Sequence, residues 1–271
     1  MLHYLYPQGK IKAMTFSYDD GNEADRRLVE IFNQNGMKGT FHLNSGTLGR
    51  GKNVTPEELP ELYKGHEVSA HSLTHPFLER VPEMTAVNEM IEDRCNLEHF
   101  SHSIVRGMSY PMGTYTPELV QMLRELGFVY SRTVESTGKF NLPGDFLMWH
   151  PTCHHVDSRL MDLGEQFKAY KYNMGIFYLW GHSYEFNLSN NWNVIEDFCK
   201  SMRNLPDVWY ATNIEIYNYV TALKQLDISY DQKLIFNRSA FDLYIGDWGK
   251  VYKIVPGVLV NLAEAEPWGV L

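Results

Sequence analysis

Apolar runs of strand length alternate with stretches of helical spacing along most of this 271-residue chain, and that alternation limits the fold most. Residues 12–18 read as a strand closed by Asp19-Asp20-Gly21-Asn22. Leu28, Ile31 and Phe32 then fall at helical spacing, and Gly36 supplies a left-handed stop. Residues 38–43 read as strand, Thr55-Pro56-Glu57-Glu58 opens a short helix, and Val68 begins another strand. A helix over 82–102 carries Met84, Val87 and Ile91 on one face. Strand over 104–108, a helix from Thr116 to a stop at Gly127, and strand over 128–134 follow. Residues 138–157 read as irregular, 162–172 as helical, 176–180 as a buried strand, and 194–203 and 212–226 as helices. Repeated β-then-α order predicts a parallel sheet, and so many units predict closure or near-closure into a barrel. Chemistry then belongs where strands end and βα loops begin.

The texture changes after Ile228. Residues 233–236 and 241–254 are β-rich, with Gly246-Asp247-Trp248-Gly249 as a hairpin turn. The expected division is a barrel over 1–227 and a small β-rich extension over 228–271. A 44% hydrophobic content, with 14% aromatic, supplies a large core and argues against disorder. Net charge is −9 without a Lys/Arg-rich cluster, which argues against nucleic acid or anionic lipid as partner. Cys95, Cys153 and Cys199 are too few and too scattered for a disulfide framework or zinc ribbon. The start lacks the pattern of a signal peptide and no apolar stretch reaches membrane-spanning length, so a cytoplasmic location is expected.

Two polar signatures sit at predicted strand ends: Asp19-Asp20-Gly21 and His71-Ser72-Leu73-Thr74-His75. Two carboxylates delivered to one spot by a buried strand are costly unless a cation compensates, and such close like charges resist joint ionisation. Two histidines four apart, on a single helical turn, present both rings on one face. With Asp20 they make a two-histidine, one-carboxylate set that leaves coordination positions open. Asp19 is then free to handle a proton, and His182, closing the apolar run 175–181, stands where an acid could sit. His3, His99 and His102 read as surface residues, and His42 and His66 as satisfying local hydrogen bonds. His154 and His155 lie in a loop and receive no role.

Taken in order, these residues resemble the polysaccharide deacetylases, carbohydrate esterase family 4, across residues 10–225. Thr15-Phe16-Ser17-Tyr18-Asp19-Asp20-Gly21 is an expanded form of the family's first motif. His71-Ser72-Leu73-Thr74-His75, preceded by Gly65-His66-Glu67-Val68, matches the second. Ser109-Tyr110-Pro111-Met112-Gly113 stands for the third and Leu179-Trp180-Gly181-His182 for the last. The resemblance implies an irregular, incomplete (β/α) barrel of about seven parallel strands. It further implies that Asp20, His71 and His75 bind a divalent metal, usually zinc, with cobalt, nickel or iron as the other candidates. Asp19 is the implied base, a backbone N–H beside the third motif holds the oxyanion, and His182 protonates the leaving group. The implied substrate is an acetylated saccharide; the oligomeric state is left open.

The pattern departs from the family at three places. Ser109 stands where an arginine tethers the base, with Arg132, and after it Arg106, as replacement cations. Met112 replaces an aromatic residue, and the Asp and Trp that support the last histidine have no clear counterpart, leaving Asp145 or Trp149 as stand-ins. Arg132, Tyr110, Met112 and Trp180 are the expected substrate contacts, with Trp149 and Tyr184 as further aromatics near the site. Three other functions fit parts of the pattern. One is a non-haem iron oxygenase using the same ligand trio, which this alternating chain disfavours. The others are a related hydrolase of a non-sugar amide, such as a cyclic ureide, and a glycan-binding relative without turnover.

Overall fold

The computed structural model describes residues 1–172 and 174–270. Its first nine strands are β1 (His3–Leu5), β2 (Lys12–Asp19), β3 (Gly39–Leu43), β4 (Glu67–Ala70), β5 (Gly107–Ser109), β6 (Tyr130–Arg132), β7 (Cys153–His154), β8 (Gly175–Gly181) and β9 (Val208–Tyr210). The helices are α1 (Asp25–Asn35), α2 (Leu59–Leu62), α3 (Glu83–Ser101), α4 (Pro117–Glu125), α5 (Leu160–Ala169), α6 (Ser183–Leu188), α7 (Asn193–Met202) and α8 (Asn213–Lys224). Seven strands run in the order β6-β5-β4-β3-β2-β8-β7, each neighbouring pair parallel. The sheet curls into a half-barrel, the incomplete (β/α) barrel expected from the sequence.

β2 is an interior strand between β3 and β8, and every one of its residues is buried. One of its edges is shared. Lys12, Ala13 and Met14 pair with β9, while Phe16 to Asp19 pair with β3. Burial on both faces explains why β8 is a continuous apolar run and why even Lys12, Thr15, Ser17 and Asp19 of β2 are buried. Phe16 meets Phe32 of α1 at 4.7 Å between ring centroids, and burying a ring of this size contributes roughly 1.5–3 kcal/mol. Gly36 ends α1 at φ 67°, as its position in the sequence predicts. Thr116 caps α4, accepting from Leu119 N–H, and Thr212 with Glu215 forms a capping box at α8.

Three local expectations need correction. Residues 71–75 form no helical turn: Ser72 (φ 67°) and His75 (φ 65°) are left-handed, and Pro76 follows at once. The Met84, Val87 and Ile91 face of α3 is not its buried one, since Met84 is 70% exposed. α3 instead buries Ala86, Glu89, Met90, Asp93 and Leu97, because its two carboxylates hold the loop that carries the histidines. Residues 138–157 are not wholly irregular: they contain β7, and β9 and α6 also went unforeseen.

Past α8 lie β10 (Asp227–Ile228), β11 (Leu234–Phe236), β12 (Leu243–Asp247), β13 (Lys250–Ile254), β14 (Leu259–Asn261) and β15 (Gly269–Val270). They make two antiparallel sheets, β10-β11-β14 and β1-β12-β13-β15, so the start of the chain is stitched to its end. β12 turns into β13 through Trp248 (φ 47°) and Gly249 (φ 79°), a two-residue hairpin matching the expected turn. Among the described residues no helix is long and apolar enough to cross a membrane.

Candidate active site

Asp19 ends β2, and the chain then turns through Asp20 (φ 77°) and Gly21 (φ 64°). The left-handed turn breaks strand alternation, so two successive carboxylates reach the same place. Asp20 Oδ1 lies 3.7 Å from both His71 Nε2 and His75 Nε2. Asp19 Oδ2 lies 3.8 Å from His71 Nε2. His71 follows β4, and its Nδ1 lies 2.9 Å from the Ser109 carbonyl. A carbonyl only accepts, so Nδ1 carries the hydrogen and the Nε2 lone pair faces Asp20 and His75. The two Nε2 atoms are 3.1 Å apart.

Those separations suit ligands of one cation: bonds of about 2.0–2.1 Å in tetrahedral array put ligand atoms about 3.3–3.5 Å apart. Asp20, His71 and His75 are thus able to hold a divalent metal, and two nitrogens with one carboxylate oxygen are a zinc-like donor set. Burial lowers the pKa of His71 despite the nearby aspartates, which keeps its ring neutral as ligation requires. The loop is pinned from behind. Asp93 of α3 accepts from Ser45 N–H at 2.7 Å and from His71 N–H at 3.0 Å. Glu89 accepts from Thr74 N–H and Oγ1, and Asn44 Nδ2 donates to the carbonyls of His71 and Ser72.

Asp19 is buried beside this trio. Ser109 Oγ donates to it at 3.2 Å, and the Arg132 guanidinium is ion-paired with it. Burial by itself would raise the Asp19 pKa, but Arg132, then His71, His42 and His182, hold it well below the usual range. Arg132 comes from β6 at the position paired with Ser109 of β5. Neighbouring positions of a parallel ladder point to the same face, so the cation stands next to where the family arginine would be. Arg106, the other candidate, is turned away and donates to Asn218.

The expected substrate contacts are only partly where a substrate could touch them. Arg132 is 1% exposed, committed to Asp19 and stacked 4.3 Å from the Trp180 ring. Trp180 is covered by Arg132 and by His154, whose ring centroid is 4.4 Å away. Tyr110 is buried and donates its hydroxyl to the Leu147 carbonyl, which leaves no free ring face for a sugar. Met112, left-handed at φ 58°, is 48% exposed.

His182 follows β8, with Nε2 4.0 Å from Asp20 Oδ2. Neither proposed stand-in supports it: Trp149 packs against Tyr130, Phe146 and Tyr178, and Asp145 pairs with Arg124. Glu185 does so instead, with Oε1 3.2 Å from His182 Nδ1. Its other oxygen lies 3.3 Å from His154 Nε2 and 3.0 Å from His155 Nε2. Burial alone would lower the His182 pKa, but Glu185, Asp19 and Asp20 together raise it. Sequence reasoning missed Glu185, although its spacing three residues after His182 was a usable signal. His42 and His66 meet local partners as expected, the Ala70 carbonyl for the first, Gly39 N–H and Asn33 for the second.

Residues 7–131 match the family model described as polysaccharide deacetylase. The structure is similar to that of a Mycobacterium smegmatis protein assigned as a polysaccharide deacetylase (TM-score 0.61, 20% identity, 81% of this chain and 93% of that one). It is also similar to a mutant of the peptidoglycan deacetylase PdaC from Bacillus subtilis (TM-score 0.53, 16% identity, 82% and 96%). A comparison with curated protein sequences finds no match. Both structural likenesses concern the fold, and the family model spans Asp19, Asp20, His71, His75 and Ser109 but stops short of His182. Residues 7–131, a little under half of the chain, thus match the polysaccharide deacetylases, a family of hydrolases that act on N-acetyl or O-acetyl groups.

Proposed function

We propose that this chain is a metal-dependent deacetylase of an acetylated carbohydrate, with Asp20, His71 and His75 as the metal ligands. The reading is carried by the convergence of those three side chains on one point, with Asp19 ionised beside them. A bound divalent metal, zinc first among the candidates, would supply an activated water and polarise the acetyl carbonyl. Asp19 accepts the proton of the attacking water, while Ser109 and Arg132 keep the carboxylate charged and aimed. Tyr110 N–H is committed to the Arg132 carbonyl and Gly113 N–H to that of Tyr110. Met112 N–H is then the donor of this segment left for an oxyanion. His182 gives a proton from Nε2 to the departing nitrogen or oxygen, its Nδ1 facing Glu185.

The deciding experiment joins metal analysis of the purified protein to an acetate-release screen over N- and O-acetylated oligosaccharides. One equivalent of divalent metal and chelator-sensitive release are expected, with Asp20→Ala losing both and at least about 10³-fold in rate. Acetate release that survives chelation or Asp20→Ala overturns the reading.

A further inference from the structure

His154 and His155 form a polar cluster with Glu185, and the steps above use neither histidine. At its base is His155, which is 1% exposed. Its ring is sandwiched between Tyr18 (centroids 5.7 Å, planes 11° apart) and Phe186 (4.1 Å, 26°). Its backbone N–H donates to the Trp180 carbonyl at 2.9 Å. Its Nδ1 lies against Gly181, where a Cβ would approach to 1.9 Å. A glycine just before His182 is therefore what lets this ring fit. Its Nε2 is 3.0 Å from Glu185 Oε2 in a bent contact, and His154 Nε2 is 3.3 Å from the same oxygen.

Glu185 lies in the first turn of α6, its N–H donating to the His182 carbonyl at 3.1 Å. Its remaining oxygen meets His182 Nδ1. An ionised carboxylate only accepts, so His182 Nδ1 must carry hydrogen, and Nε2 is the atom turned toward Asp20. The charges agree with the geometry. Burial lowers the pKa of His155, and that of His154 to about 4, so both rings are neutral beside the carboxylate. Glu185 stays below the usual carboxylate range: burial opposes this, but His155 and His182 outweigh it.

We propose that Glu185, braced by His155 and His154, is a positioning residue that fixes the tautomer and direction of His182. This rests on reading His182 as the acid of the deacetylation. It assigns a place to two histidines the reaction otherwise leaves idle, and it explains the glycine between Trp180 and His182.

The test compares the metal-loaded wild type with Glu185→Gln, Glu185→Ala, His182→Ala and the Glu185→Ala/His182→Ala pair. Two substrates separate the roles: an N-acetylated chitooligosaccharide, whose amine must be protonated to leave, and 4-nitrophenyl acetate, whose phenolate need not be. Both Glu185 variants should lose about 10²-fold in kcat on the amide with little change in KM, and at least ten times less on the ester. Removing Glu185 should cost nothing further once His182 is gone. Equal losses on both substrates, or an additive loss in the pair, overturn the proposal. Two metal equivalents in the wild type that fall to one in Glu185→Ala also overturn it, since the cluster is then a second metal site. Imidazole ¹⁵N NMR reads the brace even without turnover: at a pH high enough to remove the Nε2 proton, His182 should be the Nδ1–H tautomer in the wild type and mixed in Glu185→Ala. An unchanged signature defeats the proposal, whereas failure of wild type and His182→Ala to differ on the amide defeats only the parent reading.

Discussion

On the Asp20, His71 and His75 side, the two bracing carboxylates are met mainly by backbone amides. Ser45 and His71 N–H converge on Asp93, and Thr74 N–H, with its hydroxyl, on Glu89. On the His182 side the bracing is done by side chains, with Glu185 facing three imidazoles. The contrast shows in how two carboxylates titrate. Burial lifts Asp93 to about 7, the N–H groups of Ser45 and His71 offsetting part of the rise. Burial pushes Glu185 the same way, yet His155 and His182 hold it well down. At Asp93 the amides only offset part of the burial, whereas at Glu185 the imidazoles outweigh it and the carboxylate remains an anion.

The largest effect should come from the residue that links the two sides. Arg132→Ala leaves Asp19 buried without its cation, which should destabilise the fold by about 3–5 kcal/mol and cut acetate release by about 10³-fold. Urea denaturation and a rate assay read both, and a variant as stable and active as wild type breaks the account. The exchange Ser109→Arg with Arg132→Ser should recover part of the loss, because the two positions are paired in the ladder.

Next in size is a pH effect that sharpens the comparison. The folded pKa of Asp93 lies above its unfolded value, so its contribution to stability is complete below about pH 4 and is lost as pH rises through about 7. At about 1.4 kcal/mol per pK unit, Asp93→Asn should gain on the wild type by up to roughly 4 kcal/mol between pH 4 and 8. Glu185 has the opposite sign. Its contribution is present above the unfolded carboxylate range and lost as pH falls, so the cost of Glu185→Gln should shrink in acid. Parallel slopes for the two variants in denaturant titrations across pH erase the distinction between the sides.

The smallest effect is the most local. Gly181→Ala places a Cβ 1.9 Å from His155 Nδ1. It should lower kcat on an N-acetyl substrate about 10-fold by disturbing Glu185 through His155. Metal content should stay at the wild-type level; a fall in bound metal means that the two sides are not separately braced.

How legible each side was in the sequence follows from the range of its contacts. Asp19-Asp20-Gly21 and the two histidines are local spacings at strand ends, so the chain order displays them. The loop conformation between His71 and His75 is not displayed, because left-handed Ser72 and His75 have no glycine to announce them. The buried face of α3 was misjudged since Glu89 and Asp93 look like solvent residues until their amide partners are known. Tyr110 and Trp180 stand near the cleft as their positions suggest, but which way a ring turns depends on neighbours such as Leu147 and Arg132. His154 and His155 meet Glu185 only through the pairing of β7 with β8. That register joins segments almost thirty residues apart, with no mark in either.

The pairing of Ser109 with Arg132 has a consequence for descent. A guanidinium on either of two adjoining strands reaches the same buried anion, so the charge is free to migrate sideways. A lineage that first gains arginine on one strand and then drops it from the other passes through a doubly guarded ancestor, never an unguarded one. A motif read along the chain meets only Ser109, whereas the ladder shows the guanidinium one strand over.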